Sequence, residues 1–195
     1  FSGSILRRKR GHVNRASQWL LSQVISTLVS MVEPDFIDPP TPTVGELPAV
    51  GDPLPEFELI GTDLSQINNE TFAGTRLIIS IFPSIETPAC QEQLRRFHEQ
   101  VAQLDNTKLL CVSRDLPFTL KRFCAAEGIA DVIAASAFRS DFGEKFGVTV
   151  RDSVLEGLLA RSVVVADENH RVMHTQMVPG VVTQLDYEKV WDVLS

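Results

Sequence analysis

The feature that most constrains this chain is the largely apolar run RLIISIF at 76–82, followed by helical periodicity over 88–104 and a second largely apolar run, KLLCVS, at 108–113. Such runs read as strands buried on both faces, and a strand, helix, strand order predicts a β-α-β unit with a parallel pair. The pattern continues in the same style. A helix is predicted over 117–127 and stopped by Gly128, with a short apolar run at 132–135 and a short helix near 141–146. Strands are predicted at 162–166 and 171–178, and a closing helix over 186–194. Right-handed crossovers then predict an α/β fold, a central mixed sheet with helices on both faces.

The front of the chain is a different kind of polymer. Residues 1–32 carry Arg7, Arg8, Lys9, Arg10 and Arg15 and no acid, and apolar positions from Leu20 to Val32 fall on one stripe of a helix over 16–32. This segment reads either as targeting or surface attachment or, preferably, as sequence upstream of the working protein, because Met31 is the first methionine. It is too short and too polar to span a bilayer. Residues 33–55 hold seven prolines, from Pro34 to Pro55, which exclude a long helix or a central strand and predict an extended surface lead-in. The expected organisation is therefore an extension over 1–32, a lead-in over 33–50 and one domain over 51–195.

With 195 residues and 44% hydrophobic content, the chain can bury one sizeable core. Its formal charge of −7, with no basic stretch after residue 15, offers no footprint for nucleic acid. Cys90, Cys111 and Cys124 form no disulfide-framework spacing, so thiol chemistry in a reducing, cytoplasmic setting is expected rather than a secreted scaffold. A disulfide reductase is disfavoured by the absence of C-x-x-C. A zinc module is disfavoured because the cysteines and His12, His98, His170 and His174 lack ligand spacing.

Cys90 stands out. The chain leaves the strand at 76–82 and enters a helix with Thr87 at N-cap, Pro88 at N1 and Cys90 at N3. Cys90, Leu94, Phe97, Val101 and Leu104 share one face, so the sulfur points into the protein. Free amides and the positive end of the helix dipole predict a thiol that ionises more readily than an ordinary one. Full ionisation at neutral pH raises the reactive fraction only about 30-fold, roughly 2 kcal/mol. Groups that hold a reacting partner in line with the sulfur and stabilise departing charge, such as a hydroxyl and a guanidinium, must supply the rest. Thr87 offers the hydroxyl, and Pro88 shapes and shields the turn. Taken alone, Cys90 could equally be a buried packing residue and Thr87 a mere cap.

The string FPSIETPAC at 82–90 resembles the active-site segment of bacterial thiol peroxidases, which reads F-P-S-x-x-T-P-x-C. Three further segments resemble that family in matching order: VGDPLPEFELIGTDL, LDNTKLLCVSRDLPFTLKRFCAAEGI and GLLARSVVVADEN. The resemblance spans residues 44–195 and implies a thioredoxin-like fold and an atypical two-cysteine peroxiredoxin. It implies that Cys90 is the peroxidatic cysteine, that Thr87 and Arg161 bind and polarise the peroxide, and that Cys124 is the resolving cysteine within the same chain. It also implies a homodimer, hydroperoxide substrates and thioredoxin as reductant, with no metal or organic cofactor.

Arg161, by its position ahead of SVVVAD, would otherwise read as a solvated strand-end charge, and Cys111 reads as a small buried hydrophobe. Glu92 departs from the family pattern and is expected to soften the positive field at Cys90. The proline-rich start is expected to prevent a complete N-terminal hairpin. The competing reading from another class is a non-enzymatic redox switch built on the same cysteine pair.

Overall fold

The computed structural model describes residues 40–129 and 132–195. The helix expected over 16–32 lies outside them. The hydrophobic pattern becomes a seven-stranded sheet: β1 (Glu58–Gly61), β2 (Gln66–Asn68), β3 (Arg76–Ile81), β4 (Thr107–Ser113), β5 (Ile133–Ser136), β6 (Ser162–Ala166) and β7 (Val172–Met177). Their order is β2-β1-β5-β4-β3-β6-β7. The centre is parallel, β3 with β4 and β4 with β5, and the strands outside it run antiparallel, so the sheet is mixed. The helices are α1 (Pro88–Val101), α2 (Pro117–Glu127), α3 (Phe142–Lys145) and α4 (Tyr187–Asp192).

Two cores follow from strand alternation. Ile78 of β3, Leu109 and Cys111 of β4 and Val163 and Val165 of β6 face α1, α2 and α4. Phe97 of α1 packs there against Tyr187 and Trp191, with ring centroids 5.4 and 5.5 Å apart. On the opposite face Leu77, Ile79, Ile81, Leu110 and Val112 meet an aromatic cluster. In it Phe57 lies 6.3, 6.0 and 6.2 Å from Phe72, Phe142 and Phe146. Helices do flank both faces, although among the described residues the second carries only short ones, the four-residue α3 and a 3-10 turn at Asn69–Phe72, with loops completing the cover.

The expected elements are present, several of them shorter: α1 ends at Val101 rather than 104, and α4 spans six residues. Gly128 stops α2 as expected, at φ 67, a left-handed cap that its missing side chain allows. The β1–β2 hairpin was not foreseen. Its strands have four and three residues without clean alternation, and its turn is held by Asp63, whose Oδ1 accepts from the Ser65 amide (2.9 Å) and hydroxyl (2.6 Å).

From Pro40 to Pro55 the chain forms no strand of its own and is fastened at separate points. Thr43 bridges Val150, Pro53 bridges Arg171, and the Gly51 amide donates to Val172 O at 2.8 Å. Gly147, at φ 68, passes so close to this segment that a Cβ there would lie 2.2 Å from Glu46 O. Among the described residues no helix is long and apolar enough to cross a membrane.

Candidate active site

β3 delivers the chain to Phe82, whose amide donates to Val112 O at 3.1 Å, and a short loop then turns into α1. Thr87 caps that helix with extended backbone, φ −96 and ψ 139, and its hydroxyl oxygen accepts from the Cys90 amide. The same hydroxyl donates to Ser84 O at 3.2 Å. Pro88 occupies N1, where no amide is needed, and its side chain is exposed. Cys90 is 0% exposed and packs with Leu94 and Phe97, as the helical spacing demands.

Arg161 is not a solvated strand-end charge. It is the largest fully buried side chain among the described residues, entering beneath α1 from the start of β6. Its Nε donates to Gln93 Oε1 at 3.0 Å, and its Nη1 donates to the carbonyls of Val181 (2.6 Å) and Thr183 (2.8 Å). Nη2 makes no hydrogen bond of ordinary geometry. The guanidinium lies near enough to the Cys90 sulfur for its charge to favour the thiolate. It also favours the ionised form of Tyr187, whose phenol burial pushes up. Gln93 completes the support, its Nε2 donating to Ser80 Oγ (2.9 Å) and Ile81 O (3.3 Å). A buried cation is thus fixed by three oxygens, with the Tyr187 phenol beside it.

The expectation of a readily ionised thiol needs correction. Burial is the largest influence on Cys90 and pushes its thiol above the ordinary range; the Thr87 hydroxyl, when its one proton turns from Ser84 O to the sulfur, the Ser84 backbone and the Arg161 charge pull it back. The carboxylate of Asp115 pushes it up. A helix mouth favours an anion most when the anion is also hydrated, and here the sulfur is sealed from water. Glu92 does not soften the field as expected, because it is turned to Arg96 in an ion pair of 2.8 Å.

Cys124 sits near the end of α2, half-buried against the same core, and burial raises its thiol. Cys111 is fully buried on β4, and burial first, then the neighbouring Cys124, hold its thiol well above the ordinary range. Thr87, Ser84, Arg161 and Asp115 are the groups that act on Cys90. The three thiols are free. Two ion pairs tie the cysteine-bearing segments together, Glu86 with Arg122 and Arg95 with Glu127, the latter at 2.8 Å. A cavity of about 330 Å³ lined by Glu56, Glu58, Asn68, Asn69 and Lys145 does not touch the thiol site.

Sequence reasoning missed Gln93, Ser84 and Asp115. Gln93 carried a signal, since a position three residues after Cys90 falls on the buried helix face, where a polar side chain needs partners. Ser84 and Asp115 carried none, because both act through loop geometry.

A buried cysteine at a helix start, a capping threonine and a buried arginine thus meet on a mixed sheet, and the Redoxin family profile matches residues 49–191. Thiol peroxidases are similar across most of the chain. That of Corynebacterium glutamicum is 49% identical over 165 residues, 85% of this chain and 100% of the relative. That of Vibrio cholerae is 42% identical over 156 residues, covering 80% and 95%. A peroxiredoxin-like protein from Aquifex aeolicus superposes with a TM-score of 0.74 at 33% identity, covering 79% of this chain and 90% of the other. The thiol peroxidase of Chromobacterium violaceum has the same fold, with a TM-score of 0.75 at 23% identity over 79% and 90%. This chain belongs to the thiol peroxidase family and is a peroxiredoxin-type peroxidase.

Proposed function

We propose that this chain reduces hydrogen peroxide and alkyl or lipid hydroperoxides through Cys90, is resolved through an intrachain disulfide to Cys124, and is recycled by thioredoxin. The observation that carries the reading is Arg161: a fully buried guanidinium held by Gln93, Val181 and Thr183, its charge acting on the Cys90 sulfur next to the Thr87 hydroxyl. A permanent cation in that place can hold a peroxide oxygen and stabilise the charge that develops as the O–O bond breaks.

As the hydroperoxide enters, the Cys90 thiol gives up its proton, and that proton ends on the oxygen that departs. The Cys90 thiolate attacks the distal oxygen; an S–O bond forms and the O–O bond breaks. The peroxide is reduced to an alkoxide or hydroxide, which takes a proton and leaves as alcohol or water, while the sulfur is oxidised to sulfenic acid. The Cys124 sulfur, giving up its proton, then attacks that sulfur; an S–S bond forms, the S–O bond breaks, and the expelled hydroxide takes that proton and leaves as water. A disulfide requires Cα atoms within about 7 Å, and Cys90 is sealed in the core while free of Cys124, so the helices rearrange locally before the two join. A dithiol protein returns both cysteines to thiols by exchange.

Reopening the bond at each turnover fits a cytoplasmic, reducing setting, and the active form is a homodimer whose working domain is 51–195, preceded by the lead-in and extension. Cys90→Ser should abolish hydroperoxide turnover with thioredoxin. Cys124→Ser should consume one equivalent and stop at sulfenic acid, read by mass spectrometry. An oxidised wild type with a bond to Cys111 in place of Cys124 would overturn the resolving assignment.

A further inference from the structure

Asp115 lies in the turn between β4 and α2, two residues ahead of Pro117 at N1. Its carboxylate accepts three hydrogen bonds: Oδ1 from Ser84 Oγ at 2.7 Å, and Oδ2 from the Ile85 amide at 2.7 Å and from Ser113 Oγ at 2.8 Å. It is anchored in turn, its amide donating to Ser113 Oγ at 3.2 Å and its carbonyl accepting from Ser136 Oγ. A residue fixed to the ends of β4 and β5 therefore reaches across to the loop that precedes the nucleophile.

What it grips there is chemically central. Ser84 presents its backbone to the Cys90 sulfur in the sense that favours the thiolate, and its carbonyl accepts from both the hydroxyl (3.2 Å) and the amide (3.3 Å) of Thr87. A negative charge at this distance opposes ionisation of Cys90. An acid is therefore a poor choice for the thiol itself and a good one for holding three donors, since hydrogen bonds to a carboxylate are of the strong kind. The ion pairs Glu86–Arg122 and Arg95–Glu127 that flank it are solvent-exposed and contribute little.

We propose that Asp115 is a positioning residue that fastens the loop 83–87 to the root of the helix carrying Cys124, so that one carboxylate holds the peroxide-reactive geometry and its release begins the opening that brings Cys124 to Cys90. The proposal rests on the reading of Cys124 as the resolving cysteine. It separates two steps that a general loss of stability would depress together. Loosening the clamp slows oxidation of Cys90, because the Ser84 and Thr87 groups lose their aim. It speeds disulfide formation, because part of the opening has already happened.

The test uses the full chain and times both steps, Cys90 oxidation by stopped flow with hydrogen peroxide and disulfide formation by rapid quench with thiol alkylation. Asp115→Ala should slow oxidation about 10- to 100-fold, the effect of losing hydrogen bonds to a charged group, and should accelerate disulfide formation severalfold. Asp115→Asn keeps an oxygen for the Ile85 amide at the same length and should restore oxidation to within about threefold of wild type. Should Asp115→Ala fold poorly, Ser84→Ala removes one of the three bonds and should shift both rates the same way by a smaller factor. The proposal is overturned if the two rates fall together, if oxidation is unchanged, or if the asparagine variant is as slow as the alanine. An oxidised wild type lacking the Cys90–Cys124 bond would overturn the underlying reading, whereas a wild type with that bond and unresponsive variants would overturn the clamp alone.

Discussion

Replacing Gln93 by leucine tests how far the site depends on a rigid guanidinium. The side chain is 0% exposed and bridges α1 to β3 and β6: its oxygen takes the Arg161 Nε–H at 3.0 Å, and its nitrogen serves Ser80 Oγ at 2.9 Å and Ile81 O at 3.3 Å. Leucine is of similar volume, so packing is preserved while a buried charged donor loses its acceptor. Such a loss costs about 1.5–3 kcal/mol. If it falls on the transition state through a misaimed Arg161, kcat/KM with hydrogen peroxide should drop about 10- to 100-fold. Arg161 would keep its bonds to the carbonyls of Val181 and Thr183, so the fold should survive with a lower melting temperature. Gln93→Glu retains the acceptor for Nε but places a negative charge beside the cation, weakening its pull on Cys90. That variant should approach wild-type rate only at higher pH, where the thiol, pushed further up, is again ionised. Stopped-flow peroxide consumption across pH, with thermal melting alongside, separates the two. A leucine variant that melts as a folded protein and turns over within about twofold of wild type would refute the idea that Arg161 must be held by this residue.

Two further outcomes follow from buried thiols and backbone geometry. Cys111 is fully buried and its thiol is held well above the ordinary range, so above the unfolded thiol's pKa of about 8.5 the unfolded state binds fewer protons than the folded one. Stability should therefore fall as pH rises, by up to about 1.4 kcal/mol per pH unit for this group, until the folded pKa is reached. Cys111→Ala should flatten that alkaline loss in denaturant titrations at several pH values, even though its small cavity lowers stability uniformly; an unchanged slope would count against the assignment. Gly128→Ala meets no atom within 4 Å, so only its φ of 67 is strained. The expected loss is about 1 kcal/mol by chemical denaturation, and a loss several times larger would point to a contact the structure lacks.

Much of this protein was legible in one dimension. The β3–α1–β4 unit follows from two apolar runs around a helical period, and the placement of Cys90 at N3 and facing inward follows from Thr87, Pro88 and the spacing of Leu94 and Phe97. Those are local facts, set by capping chemistry and by the helical repeat, and no distant residue was needed to read them. The β1–β2 hairpin was not legible, because its short strands carry no period and its turn depends on one aspartate side chain.

The chemistry at the sulfur was decided elsewhere. Local sequence predicts an acidic thiol at a helix mouth; the fold seals that mouth from water, and desolvation outweighs the hydrogen bonds and the Arg161 charge. Burial, the support of Arg161 by Gln93, and the reach of Asp115 to Ser84 are properties of segments 30 to 70 residues apart meeting across β3, β4 and β6. Propensity and periodicity act over a few residues and determine which groups are on hand. Electrostatics and solvent exclusion act through space, so only the packed structure determines what those groups can do.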